Sequence, residues 1–170
     1  MAPALNRNLS DLGALLHLVD PTLPIGGFNH SNGLETFVQQ GIVENKATLE
    51  EYVQTQLLQN WVYNDGAYLS LAFEAMVTND FDRLCELDHS LSATKIARES
   101  REGSFKLGVR LLKIFIRYEQ HPMLSQFQQA IQNKTVQGYF PIVFAMVAQA
   151  MGLSKADTLY AFYYNAAVGT

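Results

Sequence analysis

The chain has 170 residues, 48% of them hydrophobic, which is enough for one domain with a buried core. Charged residues make up only 16% of the sequence, and the formal net charge is −4. A surface that follows nucleic-acid phosphates needs concentrated Lys and Arg, so this balance argues against nucleic-acid binding. The low charge content favours a protein that works inside a complex, although a neutral surface rich in Gln and Asn explains it equally well.

Cysteine content and apolar runs limit the class of protein further. The single cysteine, Cys85, excludes an internal disulfide and any metal site built from several cysteines. Residues 1–10 have no apolar core of the kind that a signal peptide needs. The longest apolar runs, such as 141–147, fall short of the roughly 20 residues that a membrane span requires. We therefore expect a soluble, cytoplasmic protein with no membrane association.

Helical patterns begin near the start of the chain. Ser10 is predicted to cap a first helix, which Pro21 ends because proline disfavours helix for the residue before it. The stretch PTLPIGGFNHSNGLE, residues 21–35, then forms an elaborate loop. Ser31 is predicted to cap the second helix, and Gly41 to stop it.

The middle of the chain predicts three further helices. Thr48 with Glu51 has the spacing of a capping box at the start of the first. The turn-forming residues Asn64-Asp65-Gly66 predict a break before a second, over about 67–77. Asp80 is predicted to cap the third.

The last third also shows helical periodicity. Past Ser92 the pattern fits one long helix weakened at its glycines, or two shorter pieces. Pro122 and Pro141 suit helix first turns, and Ser154 with Asp157 resembles another capping box. Alternation with period two is never sustained, so no strand pair is predicted. The sequence predicts one compact all-α domain over residues 1–170.

Residues typical of catalysis and metal binding are scattered. The chain has no nucleotide-binding P-loop and no paired-histidine metal motif, so we expect no cofactor, no metal site and no enzymatic activity. Of the four histidines only His30 lies in an unusual loop, and a lone histidine is rarely a ligand. Cys85 is interpreted as a buried structural thiol, because no histidine stands at a recognisable partner position.

The loop at residues 21–35 is one of two segments that suggest more than core packing. Pro24 fixes its own backbone, and the Gly26-Gly27 pair lets another chain approach closely. Phe28 has no helical neighbours, and an outward aromatic beside bare backbone favours a protein contact. The alternative is a loop stapled to the core by its apolar side chains, Leu23, Ile25 and Phe28.

The second such segment is IARESREGSFKLG, residues 96–108. Its arginines, Arg98 and Arg101, are three apart and are predicted to share one helix face. A solvated face with weak local ion pairs explains this as well. The small residues Ser104 and Gly108 follow at spacings that would let a neighbouring helix or partner come close.

Together these segments resemble the urease accessory protein UreF family. The family pattern P-x-L-P-[IV]-G-[GS]-[FY]-x-x-S-x-G-L-E is matched throughout residues 21–35. Its later E-x-R, small residue and glycine match Glu99, Arg101, Ser104 and Gly108, and the final YAFYYNAAVGT resembles the family's aromatic helix. Family members usually continue for several tens of residues, so we expect this chain to lack a C-terminal segment that engages UreD/UreH.

The resemblance implies an all-α homodimer that bridges UreD/UreH and the GTPase UreG, delivers nickel into apo-urease and modulates GTP hydrolysis by its partner. It also makes one set of residues the candidate partner-binding surface: Pro24, Gly26, Gly27, Phe28, Ser31, Gly33, Glu35, Glu99 and Arg101. The competing hypothesis is a small helical enzyme or ligand-binding protein, in which the loop is a lid and Arg98 and Arg101 grip an anion.

Overall fold

The computed structural model describes residues 9–26, 33–95 and 97–168, and this part of the chain is helical with no strand. A π-helix, Gln56–Gly66, joins α3 directly to α4. The prediction of a compact all-α fold is confirmed. The α-helices are α1 (Leu9–Leu18), α2 (Leu34–Gln39), α3 (Lys46–Thr55), α4 (Ala67–Val77), α5 (Phe81–Thr94), α6 (Arg98–Phe115), α7 (Pro122–Gln132), α8 (Phe140–Ala150) and α9 (Lys155–Val168).

Helix α8 is the centre of the core. Its sequence, FPIVFAMVAQA, has no charged residue, and the stretch 141–148 is buried without interruption. The helices α4, α5, α6 and α9 pack around it. A helix that is apolar on all sides must be enclosed in this way, because it has no face that water can solvate. None of the described helices has both the length and the apolar composition that crossing a membrane requires.

The start of α8 is held by a buried carboxylate. Asp88 of α5 is fully buried and accepts backbone N–H groups from Gln137 at 2.6 Å, Gly138 at 3.1 Å and Tyr139 at 2.9 Å. Burial raises the pKa of Asp88, and the three N–H donors oppose that rise because they stabilise the carboxylate. The charge also interacts favourably with the positive end of the helix dipole.

Helix α6 approaches the same turn through its small residues. A Cβ atom on Gly108 would lie 3.0 Å from the backbone N of Phe140 and would overlap the carbonyl oxygen of Gly138. Four residues earlier, the Ser104 hydroxyl accepts the Phe140 N–H at 3.3 Å. The close approach predicted for Ser104 and Gly108 is therefore used inside the fold, against α8.

The predicted helix ends are partly confirmed. Asp80 caps α5 by accepting the Arg83 N–H at 2.9 Å, and Gly41 follows α2 with a φ of 68°. The prediction that Thr48 and Glu51 form the capping box of α3 is wrong. Asn45 is the N-cap there, and Thr48 is the second partner of its box.

The other helix ends show the same mixture. Ser10 is not an N-cap, because it lies inside α1. Pro122 and Pro141 stand in the first turns of α7 and α8, as predicted. The Ser154 hydroxyl accepts the Asp157 N–H at 3.1 Å and donates to its carboxylate at 2.8 Å, before α9.

The predicted break at Asn64-Asp65-Gly66 is wrong, since these residues end the π-helix without interrupting the helical path. Tertiary contacts explain the difference. Gly66 is buried, and a Cβ there would lie 2.8 Å from the carbonyl oxygen of Trp61 and would overlap the hydroxyl of Tyr163 in α9. The side chains that signal a turn in isolation instead bind across to the end of α5.

Candidate partner-binding surface

The first part of the loop forms a tight turn fixed by its own side chains. The Asp20 carboxylate accepts both the N–H and the hydroxyl of Thr22, each at 2.7 Å. Both bonds lower the pKa of Asp20 below its ordinary value of 3.8, and the hydroxyl bond has the larger effect. Pro21, Thr22 and Pro24 are exposed, so the turn presents rigid backbone to solvent.

The same loop is also anchored to the core. Ile25 is 8% exposed and belongs to the hydrophobic core, and Leu23 packs against that core. The Ile25 carbonyl accepts a hydrogen bond from Nη1 of Arg110 in α6 at 2.9 Å. Gly26 follows with a φ of 79°, a backbone angle that favours glycine. Leu23 and Ile25 therefore staple the loop while Pro24 and Gly26 stay exposed.

Three of the predicted contact residues, Gly27, Phe28 and Ser31, lie outside the described residues, as does His30. The loop is described again from Gly33, which is the N-cap of α2 with a φ of 93°. The prediction that Ser31 caps this helix is wrong for that reason. Glu35 is exposed in the first turn of α2.

The two arginines of α6 have different local partners and do not form one clamp. Nε of Arg98 lies 2.6 Å from the Glu102 carboxylate, and the Arg98 side chain is 82% exposed. Nη1 of Arg101 donates to the carbonyl of Lys95 at 2.9 Å and so closes the turn between α5 and α6. Both arginines belong to α6 and stand three residues apart, but each bonds a different neighbour. Glu99 is exposed beside them.

An ion pair fixes this corner to the π-helix. Nζ of Lys95 lies 2.7 Å from the Asp65 carboxylate, and the two side chains are only 11% and 16% exposed. The neighbouring Thr94 hydroxyl donates to the Asn64 side chain at 3.2 Å. The start of α6 is therefore held at a fixed position relative to the π-helix.

An open groove of about 820 Å³ runs between the loop and this corner. Its walls include Leu23, Ile25 and Gly33 on one side and Glu99 and Ser104 on the other. Neither arginine lines it. Of the predicted contact residues that are described, Gly33 and Glu99 meet at the groove, while Pro24, Gly26, Glu35 and Arg101 lie outside its lining.

The groups that could bind a metal or act as nucleophiles are dispersed. Within the described residues no cluster of three or more His, Cys, Asp or Glu side chains could hold a metal ion. Cys85 is half-buried against the core, and burial raises the pKa of its thiol, which disfavours the reactive thiolate. His121 caps α7 by accepting the Met123 N–H at 3.3 Å, and His89 bonds the Thr135 carbonyl.

Sequence reasoning missed two residues of structural importance, Asp88 and Arg110. Asp88 was detectable, because it follows Leu87 and stands four residues after Leu84 on the apolar face of α5. An acid on such a face must find hydrogen-bond donors in the core. Arg110 gave no signal of this kind, since its partner, a backbone carbonyl, lies 85 residues away.

These features define an all-α protein whose most distinctive surface is an anchored proline-glycine loop beside an open groove, an arrangement suited to contacts with other proteins. Comparison with known sequences identifies it further. The sequence model of the UreF family matches residues 43–170, and the chain belongs to that family. The matched region begins after the loop, but the similarity to individual relatives extends across it.

Three of those relatives, from different organisms, carry the name urease accessory protein UreF. The one from Haemophilus influenzae strain Rd is 85% identical over 169 residues, covering 99% of this chain and 72% of the relative. The one from Actinobacillus pleuropneumoniae serotype 5b is 80% identical, covering 95% and 71%. A more distant one, from Lachnoclostridium phytofermentans, is 36% identical, covering 89% and 66%.

Proposed function

We propose that this protein is a urease maturation factor that acts as a non-enzymatic scaffold. It bridges UreD/UreH and the GTPase UreG, so that nickel is delivered into apo-urease, and it modulates GTP hydrolysis by UreG. The observation that carries the proposal is the 85% identity to a urease accessory protein UreF over 99% of the chain. The proposal includes a homodimer in the cytoplasm, without a cofactor of its own.

The geometry of the loop supports a contact surface. Arg110 and the buried Ile25 hold the loop in place, so that exposed Pro24 and Gly26 are presented with little conformational freedom. A preorganised surface loses less entropy on binding. Gly27, Phe28, Ser31, Gly33 and Glu35 continue this proposed surface along the chain, and Glu99 with Arg101 supports it from α6.

The competing function is a small helical ligand-binding protein or enzyme. The groove has the volume of a small-molecule site. However, Arg98 is paired with Glu102, and Arg101 is bonded to the Lys95 carbonyl. The proposed anion clamp is therefore not assembled, and the groove supports a partner segment better than an anionic ligand.

Light scattering on the chain, alone and mixed with UreG, with UreD/UreH and with both, tests the scaffold. We expect a dimer of the 19.0 kDa chain and a larger complex that contains both partners. GTP hydrolysis by UreG is measured in the same mixtures, and we expect its rate to change when the chain is present. Absence of association in every combination would overturn the proposal.

A further inference from the structure

Four basic residues follow one another along the second half of α6 and the turn after it. Lys106, Arg110, Lys113 and Arg117 are spaced by four, three and four residues, and all four are exposed. Residues 103–118 contain no acidic residue, although the whole chain carries a net charge of −4. We call these four side chains the α6 cationic stripe. Arg117 stands in the turn just after α6 and is exposed next to Lys113 in the sequence of the stripe.

The opposite face of α6 fixes the direction of the stripe. Gly108, Leu111, Leu112 and Phe115 are buried against the core. Helical periodicity therefore directs the three cations within α6 away from the protein, and α6 cannot rotate without burying charge. Arg117 is exposed just beyond the end of the helix. The stripe is a permanent feature of the folded surface.

Neutralisation within the protein is incomplete. Nζ of Lys106 lies 3.4 Å from the Glu102 carboxylate, which also pairs with Arg98. Arg110 donates one N–H to the Ile25 carbonyl, which carries no charge. Lys113 and Arg117 have no ion pair with any described residue. Like charges at spacings of three and four repel each other on a helix. Acidic groups supplied from outside would remove that repulsion.

The far end of the stripe adds a shallow, open concavity. This open depression, of about 240 Å³, is lined by Lys113, Ile114, Arg117 and Tyr118, of which Ile114 and Tyr118 supply the apolar part. The Tyr118 side chain is 71% exposed, which leaves its ring open to a contact. Tyrosine and arginine are enriched in protein interfaces, where an aromatic anchor lies among charged neighbours.

The near end of the stripe meets the loop. Arg110 belongs to the stripe and also bonds the carbonyl of Ile25, next to the exposed Gly26. The two surfaces are therefore continuous. A partner that covers the loop would reach the stripe without crossing an uncharged gap.

We propose that the α6 cationic stripe, with Tyr118 at its end, is a docking surface for an acidic segment of a partner protein. This rests on the proposed function, in which such a partner belongs to the urease maturation assembly. Charge complementarity argues for an acidic segment, and the Ile114 and Tyr118 side chains suit one that also carries an apolar residue. Nucleic acid fits less well, since the net charge of −4 repels a long polyanion.

The test is charge reversal with a matched control. The stripe variant is Lys113→Glu with Arg117→Glu; the control is Lys46→Glu with Lys134→Glu, which makes the same change in net charge at exposed positions elsewhere. Dissociation constants for UreG and for UreD/UreH are measured at several salt concentrations. We expect the stripe variant to weaken one association about tenfold at low salt and to flatten its salt dependence. The control should change both associations less than about twofold.

Two further measurements separate a loss of binding from a loss of folding. Circular dichroism first confirms equal helix content in both variants, and Tyr118→Ala, which alters no charge, is expected to weaken binding without changing the salt dependence. If the wild-type chain binds neither protein, the proposed function and this inference both fail. If it binds and the stripe variant matches the control, only the inference fails. Loss of binding to phosphatidylserine vesicles or duplex DNA, with unchanged protein association, would assign the stripe to those ligands and overturn the proposal.

Discussion

The carboxylate of Asp88 in α5 accepts the backbone N–H of Tyr139, the N-cap of α8, at 2.9 Å. With the bonds to Gln137 and Gly138, one side chain satisfies three consecutive donors in a place that water does not reach. The start of the central helix is therefore fixed by a residue about fifty positions earlier in the chain.

Replacing Asp88 with Asn tests this anchor. Asparagine keeps the size of the side chain but has one acceptor oxygen, and its NH₂ group would face N–H donors. We expect the free energy of unfolding to fall by about 2–3 kcal/mol, because a buried charge-assisted network is broken. Urea unfolding measures the change. Asp82→Asn, on the exposed side of the same helix, is the control; equal effects from both would show that Asp88 is not an anchor.

Gly108→Ala tests the close contact between α6 and α8. The added methyl would meet backbone atoms of Gly138, Tyr139 and Phe140, which cannot move aside as a flexible side chain can. We expect a loss of about 1–3 kcal/mol in the free energy of unfolding.

Gly13→Ala in α1 is the matched control, because nothing lies within 4 Å of the added atom. There the higher helix propensity of alanine should increase stability by up to about 1 kcal/mol. Chemical denaturation of both variants gives the comparison. A Gly108→Ala protein as stable as the wild type would contradict the packing described for α6.

Two variants distinguish the residue that anchors the loop, Ile25, from the exposed residue proposed to contact a partner, Pro24. Ile25→Ala removes a buried side chain and should lower the free energy of unfolding by about 2 kcal/mol or more. Pro24→Ala alters an exposed residue and should change stability by less than about 1 kcal/mol. We expect Pro24→Ala, despite that small effect, to weaken binding to UreG. Calorimetric unfolding and a binding titration measure the two quantities, and unchanged UreG binding would remove Pro24 from the surface.

The turn at Asp20 predicts a pH effect. The Thr22 bonds lower the pKa of Asp20 below its ordinary value of 3.8. The charged carboxylate therefore contributes fully to stability at pH values above 3.8. That contribution is lost as the pH falls through the lowered pKa. Thr22→Val removes the hydroxyl and should raise the pKa of Asp20 toward 3.8. A carboxyl NMR titration measures this. Thr36→Val in α2 is the control, and an unmoved Asp20 titration in Thr22→Val would refute the hydroxyl bond.

Local patterns predicted the helices well where one short-range interaction decides the outcome. Asp80, Pro122 and Pro141 act through a neighbouring backbone group or a fixed φ, and each stands at the helix start that it predicts. Asn45 and Thr48 show the limit of this reasoning. Several polar residues in one stretch can cap, and only the path of the chain selects between them.

Distant contacts account for what the sequence pattern could not supply. Asn64-Asp65-Gly66 has turn chemistry, yet Thr94 and Lys95 bind its side chains and Tyr163 packs at its glycine, so a helical path persists. At the candidate surface, the exposure of Pro24 and the burial of Ile25 depend on how the loop lies on α6. Core residues that are distant in sequence bury Ile25, and Arg110, a residue outside the loop, bonds its carbonyl.

The position of α8 in the sequence has a consequence for synthesis. The chain emerges from the ribosome in order, and the faces of α4, α5 and α6 that pack on α8 are made before it. These faces lack their native partner until residue 150 has emerged. During that interval the nascent chain exposes a large apolar surface, which is when aggregation competes with folding. Production of this protein should therefore respond to translation speed and to chaperones that shield nascent chains.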